Sequence, residues 1–151
     1  MKINWKTLII CFVIVYLTAF LGGIFTSKET SGAWYDSVRP SITPPNYVFP
    51  IVWNILFFLI AVSLYIAWDS GKDRLLVGFV FGANFVLNIL WSVLYFGLRN
   101  PLLAFFEIIV LWLSICSMIY VCWKIDRKAA WLLVPYLLWV GFAIVLNYLS
   151  I

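Results

Sequence analysis

The segment PPNYVFPIVW (residues 44–53) joins the one long polar stretch of the chain to an apolar run. Its three prolines fix the backbone φ angle and remove amide donors, so we expect no regular helix over residues 44–49. Pro50 suits the first turn of a helix, where its missing N–H is not needed. Trp53 follows one turn later. We interpret this stiff, aromatic helix start as the wall and part of the lid of a binding site.

The composition around this segment is that of a protein embedded in a membrane. The 151 residues are 66% hydrophobic and 11% charged, with a mean hydropathy of +1.07. Soluble domains average about 45–50% apolar and about 25% charged residues. The length allows about five spans of about 20 residues each.

The apolar runs predict an all-α integral membrane protein folded as one five-transmembrane-helix bundle, residues 1–151. Lys2 and Lys6 before the first run would also suit a signal peptide. No A-x-A cleavage site follows them, so we expect the first helix to be retained. The predicted helices cover 7–25, 50–68, 75–96, 102–123 and 129–149, with a long loop over 26–49.

Basic residues are divided unequally between the two sides of this bundle. Seven lie on the side of the N-terminus: Lys2, Lys6, Lys72, Arg74, Lys124, Arg127 and Lys128. Three lie on the side of the long loop: Lys28, Arg39 and Arg99. Because cytoplasmic loops are enriched in Lys and Arg, we expect a cytoplasmic N-terminus, with the long loop and the C-terminus outside. No basic run suits nucleic acid.

The third predicted helix has two distinct faces. Asn84, Asn88, Trp91 and Tyr95 recur at helical spacing and share one face. The two amides either bond neighbouring helices and lock the bundle, or point into a cavity and orient a ligand. The pair Gly78 and Gly82 lies roughly 130° away on the helical wheel. It favours a homodimer contact, although it could serve contacts within the chain.

The fifth predicted helix carries a stripe that is either core packing or a second aromatic wall facing Trp53. The stripe consists of Trp139, Phe142, Ala143, Leu146 and Asn147. In the fourth helix, Glu107 is the one acid far from a helix end. We expect a neutral carboxyl that hydrogen-bonds a neighbouring helix, and we favour this over a proton relay.

The sequence offers little machinery for catalysis. It contains no histidine, no paired carboxylates, no phosphate loop and no close-spaced metal ligands. We therefore expect no cofactor and no metal, and a binding protein rather than an enzyme. The remaining reactive groups are Trp and Tyr rings, which can be oxidised or can pass electrons.

Several motifs together resemble the tryptophan-rich sensory protein / translocator protein family (TspO/MBR, formerly peripheral benzodiazepine receptors). They are Trp34-Tyr35, Pro40, Pro44-Pro45, Trp53, Asn88-x-x-Trp91, Ala104-x-x-Glu107 and Pro135-Tyr136-Leu137-x-Trp139-x-x-Phe142-Ala143-x-x-Leu146-Asn147. The resemblance implies a five-helix bundle, often dimeric, whose first loop covers a pocket for tetrapyrroles such as protoporphyrin IX and for benzodiazepine-type ligands. The implied wall comprises Tyr35, Pro44, Trp53, Asn84, Asn88, Trp91, Trp139 and Ala143, to which we add Phe142 from the stripe.

The resemblance also bears on the alternatives. Some members are linked to porphyrin breakdown through tryptophans that match Trp53 and Trp139. The sterol-recognition pattern of animal members is incomplete here, because no Lys or Arg follows Tyr148, and the short tail suggests a prokaryotic cell-membrane protein. We expect a receptor or sensor for porphyrin or a similar flat hydrophobic molecule, in contact with membrane lipid. The alternatives are porphyrin degradation and transport of porphyrin or lipid; no inverted repeat is visible to support transport.

Overall fold

The structure, a computed structural model that describes residues 2–151, is a bundle of five long helices with one short helix between the first two. The described residues contain no strand. All five long helices are long and apolar enough to cross a membrane, which confirms the predicted all-α fold. The helices are α1 Trp5–Glu29, α2 Ala33–Val38, α3 Val48–Asp69, α4 Arg74–Ser92, α5 Pro101–Ile125 and α6 Arg127–Tyr148. The third and fifth predicted helices are therefore α4 and α6.

The connection between α1 and α3 is more helical than predicted. Helix α1 continues to Glu29, and α2 occupies part of the expected loop. Helix α3 begins at Val48, so Phe49 is helical and Pro50 is the third helical residue. The expectation of no regular helix through residue 49 is therefore wrong. The physical reason is that none of the first-turn N–H groups has a partner within the helix, so proline fits anywhere in that turn.

Side-chain caps mark where α5 and α6 begin. The Asn100 side chain accepts from the amide of Leu103 at 3.0 Å, and Pro101 follows at the first helical position. The Asp126 carboxylate accepts from the amide of Lys128 at 2.7 Å. Each cap satisfies one of the amide donors that a helix start leaves free. The short connections they close place α4, α5 and α6 side by side.

A π turn over Val93–Gly97 continues α4. Its wider geometry carries Tyr95 and Phe96 into a small cluster with Tyr35 of α2 and Ala104 of α5. Tyr35 packs on Phe96 at 5.7 Å between ring centroids. The π turn therefore anchors the long connection onto the end of the bundle.

The interior and the outer surface of the bundle are both apolar. Residues such as Val15, Ile60 and Phe81 are almost fully buried between helices. Large apolar side chains, including Leu75 and Phe79, are exposed on the outside. Exposed apolar surface on every long helix is what a lipid environment accommodates.

Candidate functional site

A cavity of about 530 Å³ opens at the end of the bundle beneath the long connection. This volume falls within the range of about 300–1,000 Å³ that is usual for small-molecule sites. Helices α1, α3, α4 with its π turn, α5 and α6 all contribute to the wall, and the segment 30–46 contributes to the roof. All the described side chains that line the cavity are uncharged.

Two tryptophans from different helices face this one cavity. Trp53 of α3 and Trp139 of α6 both line it. Trp53 stacks on Phe57, with centroids 5.3 Å apart and an interplanar angle of 28°. Trp139 packs edge-on against Phe49 at 5.8 Å. The rings are thus held by aromatic neighbours, which stabilise their orientation through contacts worth about 0.5–1.5 kcal/mol per pair beyond buried area.

The two asparagines of α4 belong to one hydrogen-bonded chain across three helices. Asn88 Nδ2 donates to the Tyr136 hydroxyl at 3.1 Å, and this hydroxyl donates to Asn84 Oδ1 at 3.1 Å. Asn84 Nδ2 then donates to Ser114 Oγ at 2.8 Å. Asn88 also lines the cavity, whereas Asn84 is fully buried and does not. Asn84 therefore locks the bundle, and Asn88 has both a structural partner and access to the cavity.

On the side of the cavity formed by α4 and α6, a second set of hydrogen bonds joins the helices. Trp91 Nε1 donates to Asn147 Oδ1 at 3.0 Å, and Asn147 Nδ2 donates to the carbonyl of Pro101 at 2.8 Å. Trp91 also stacks on Tyr95 at 5.1 Å. Ala143 lines the cavity on the same side. The side-chain polar atoms of Trp91 and Asn147 on this wall are therefore already paired.

Tyr35 and Thr43 are hydroxyl-bearing residues of the roof. Tyr35 is only 6% exposed and lines the cavity. Burial raises the pKa of Tyr35 to about 12, so its phenol stays protonated near neutral pH and can donate a hydrogen bond. Thr43 lines the same cavity, and its buried Oγ1 has no hydrogen-bond partner among the described residues. The Tyr35 hydroxyl therefore offers a polar contact to an occupant.

Three predicted wall residues lie outside the cavity. Pro44 lines a shallow outer groove with Arg39 and Asp36. Asn84 lies one turn farther along α4 and is committed to the hydrogen-bonded chain. Phe142 packs on Trp139 at 5.7 Å but does not line the cavity. Helical spacing groups residues on a face, but it does not say how far a cavity extends along that face.

Helix α1 also contributes to the cavity wall, which the sequence patterns did not predict. Tyr16, Ala19, Gly22 and Gly23 line the cavity. The adjacent glycines were the available signal, because residues without a Cβ leave room beside a helix. An added Cβ on Gly23 would meet no atom within 4 Å.

Glu107 does not behave as predicted. It is 8% exposed, and neither carboxyl oxygen has a hydrogen-bond partner among the described residues. The expected bond to a neighbouring helix is therefore wrong. Glu107 does not line the cavity. No group of three His, Cys, Asp or Glu side chains among the described residues could hold a metal ion.

Five apolar helices around an uncharged, aromatic-walled cavity define a multi-pass integral membrane protein. The sequence model of the TspO/MBR family matches residues 9–150, so the chain belongs to that family. It is 39% identical over 147 residues to the tryptophan-rich protein TspO of Archaeoglobus fulgidus, covering 96% of this chain and 95% of the relative. The protein of the same name from Chlorobaculum tepidum is 37% identical over 145 residues, covering 94% and 92%.

The similarity extends to an animal protein. The translocator protein of Sus scrofa is 29% identical over 141 residues, covering 87% of this chain and 83% of the relative. The family membership inferred from the motifs is thus confirmed.

Proposed function

We propose that this protein is a membrane receptor or sensor that binds porphyrins such as protoporphyrin IX and similar flat hydrophobic molecules. The observation that carries this proposal is that Trp53 and Trp139, from separate helices, line one apolar cavity. Wide indole rings can contact the face of a planar ligand, and the cavity buries it away from water. Asn88 and the Tyr35 hydroxyl would contact the polar edge of the ligand. A relative from Cereibacter sphaeroides is named a tryptophan-rich sensory protein.

Titration of the purified protein with protoporphyrin IX, followed by porphyrin absorbance, tests this function. We expect Trp53→Ala and Trp139→Ala each to weaken binding by about 1–3 kcal/mol, or about five- to a hundred-fold in Kd. Trp→Phe at either position should retain part of the affinity, because a smaller aromatic face remains. A matched control is Trp131→Ala, since Trp131 is 63% exposed and outside the cavity.

Two results would contradict the proposal. The wild type could show no saturable binding, in which case the cavity holds another class of molecule. Alternatively, Trp131→Ala could lose as much affinity as the two cavity variants, and porphyrin would then bind elsewhere or only to the lipid-facing surface. Each variant is first compared with the wild type by circular dichroism to confirm folding.

A second candidate function is light- or oxygen-dependent porphyrin degradation. It is favoured by the position of two oxidisable indole rings against the same cavity. Molecular oxygen would be the oxidant and the porphyrin macrocycle the reductant, with Trp53 and Trp139 passing electrons. Illumination in air with protoporphyrin IX should yield a new absorbing product that requires both tryptophans. Product formation at the same rate without them would exclude this role.

We further infer a cytoplasmic N-terminus, an outward-facing cavity roof and C-terminus, and a prokaryotic cell membrane as the location. The excess of basic residues at the opposite end of the bundle supports this orientation. A homodimer through α4 is also proposed. Gly82 supports it, since an added Cβ there meets no atom within 4 Å. Gly78 supports it less, because an added Cβ there would lie 3.4 Å from Trp68 of the same chain.

A further inference from the structure

Several residues that line the cavity also reach the outer surface of the bundle. Tyr16 of α1 is 37% exposed, and Asn54 of α3 is exposed as well. The other amide-bearing helical residues of the wall, Asn88 and Asn147, are buried. Tyr16 and Asn54 therefore lie where the cavity meets the lipid-facing surface.

The positions of both residues along their helices agree with this boundary. On α3, the exposed residues Ile51 and Ile55 flank Asn54 on one side, and the cavity-lining residues Trp53 and Phe57 flank it on the other. On α1, Tyr16 lies between exposed residues such as Val13 and Phe20 and cavity-lining residues such as Ala19. A side-chain amide such as that of Asn54 is energetically costly on a lipid-exposed helix face. Its position at the edge of the cavity therefore points to a functional role for Asn54.

The contact between these two residues is weak. The Tyr16 hydroxyl donates to the backbone carbonyl of Asn54 at 3.4 Å, which is longer than the usual O–H···O distance of about 2.5–3.0 Å. Asn54 Nδ2 donates to the carbonyl of Pro50 at 3.1 Å, and its Oδ1 bonds no group among the described residues. The α1 residues next to Tyr16 in the cavity wall have small side chains or none: Ala19, Gly22 and Gly23. We call Tyr16, Ala19 and Gly23 with Asn54 and Phe57 the α1–α3 seam.

The roof is fastened more firmly than this seam. Arg99 donates through Nε and Nη2 to the Glu29 carboxylate, both at 3.1 Å, tying the end of α1 to the connection after α4. Asn46 Nδ2 donates to the carbonyl of Thr30 at 3.2 Å within the roof itself. Lifting the roof separates Tyr35 from Phe96 and Trp34 from Tyr95, each pair 5.7 Å apart between ring centroids. Parting the seam breaks one long hydrogen bond and separates the rings of Tyr16 and Phe57, which are 6.4 Å apart.

We propose that the ligand enters and leaves the cavity sideways from the bilayer, through the α1–α3 seam, with the Tyr16 hydroxyl as its latch. This proposal rests on the proposed function and specifies its ligand as a molecule that partitions into lipid. Such a molecule approaches along the exposed faces of α1 and α3. Asn54 Oδ1 accepts a hydrogen bond from a pyrrole N–H or a hydroxyl of the ligand as it passes.

Binding kinetics of protoporphyrin IX in lipid nanodiscs test the route. Tyr16→Phe keeps the ring and removes the latch, so the association rate constant should rise about two- to threefold, the factor for a bond at the weak end of the usual range, about 0.5 kcal/mol. The dissociation rate constant should rise too. Simple loss of a ligand contact would raise dissociation alone. Tyr120→Phe is the matched control, because Tyr120 is 62% exposed on α5 and outside the cavity.

A second variant changes the rate in the opposite direction. Gly23→Leu places a side chain in the open space of the seam, so we expect association to slow by about threefold or more. The outcomes separate the two proposals. If the wild type shows no saturable porphyrin binding, both fail. If it binds porphyrin but Tyr16→Phe associates less than twofold faster, or Gly23→Leu associates as fast as the wild type, the lateral route is overturned and the binding function stands.

Discussion

Removal of the Tyr136 hydroxyl should destabilise the bundle without changing its shape. This hydroxyl accepts from Asn88 Nδ2 and donates to Asn84 Oδ1, both at 3.1 Å. Tyr136→Phe keeps the buried ring and removes both bonds. Hydrogen bonds between membrane helices contribute about 0.6 kcal/mol on average and up to about 1.7 kcal/mol. Two bonds in a fully buried site therefore predict a loss of about 1–3 kcal/mol in the free energy of unfolding.

The assay is unfolding by denaturing detergent in mixed micelles, followed by circular dichroism. Tyr120→Phe makes the same chemical change at an exposed position, and its free energy of unfolding should stay within about 0.5 kcal/mol of the wild type. In an Asn84→Ala background one of the two bonds is already absent. The loss caused by Tyr136→Phe should then be smaller by about 0.5 kcal/mol or more.

If Tyr136→Phe has the same free energy of unfolding as the wild type, this reasoning is refuted. It would mean that water or other groups replace the hydroxyl, so the chain from Asn88 to Ser114 adds nothing to stability. An equal loss in the wild-type and Asn84→Ala backgrounds would be a narrower failure. It would show that Tyr136 acts independently of Asn84.

Three further predictions concern Glu107, the dimer and the orientation. Glu107→Met should raise the free energy of unfolding by about 1 kcal/mol or more, because it removes a buried carboxyl without hydrogen-bond partners. Glu107→Gln should give no such gain. A Met variant less stable than the wild type would show that the carboxyl has a hydrogen-bond partner after all. Gly82→Leu should weaken any homodimer in a cross-linking assay, while porphyrin affinity stays within about twofold of the wild type. If porphyrin binding is lost and the dimer stays intact, the Gly82 face of α4 does not point outward. In a cysteine-free background, Ser31→Cys on intact cells should react with an impermeant thiol reagent. Labelling of Ser70→Cys instead would show that the membrane orientation is the opposite of the one proposed.

Individual residues show how far sequence patterns reach into this site. Trp53, Asn88 and Trp139 all line the cavity. Asn84 shares a face with Asn88, yet Tyr136 and Ser114 occupy its amide. Spacing along one helix could not separate the two asparagines, because the difference lies in partners from α5 and α6.

The fold class follows from local chemistry that the sequence alone determines. Lipid offers no partners to backbone N–H and C=O groups, so each long apolar run must satisfy them within itself as a helix. Helical periodicity then assigns side chains to faces without reference to any other segment.

Only the tertiary structure decided which faces meet and what lies between them. The seam between α1 and α3 depends on Tyr16 and Asn54, which are far apart in sequence, and the roof depends on α2 packing against the π turn. The isolation of Glu107 could be seen only once every neighbouring helix was in place. These features arise from contacts between helices, whose rotation and depth are set by packing rather than by the pattern within any one run.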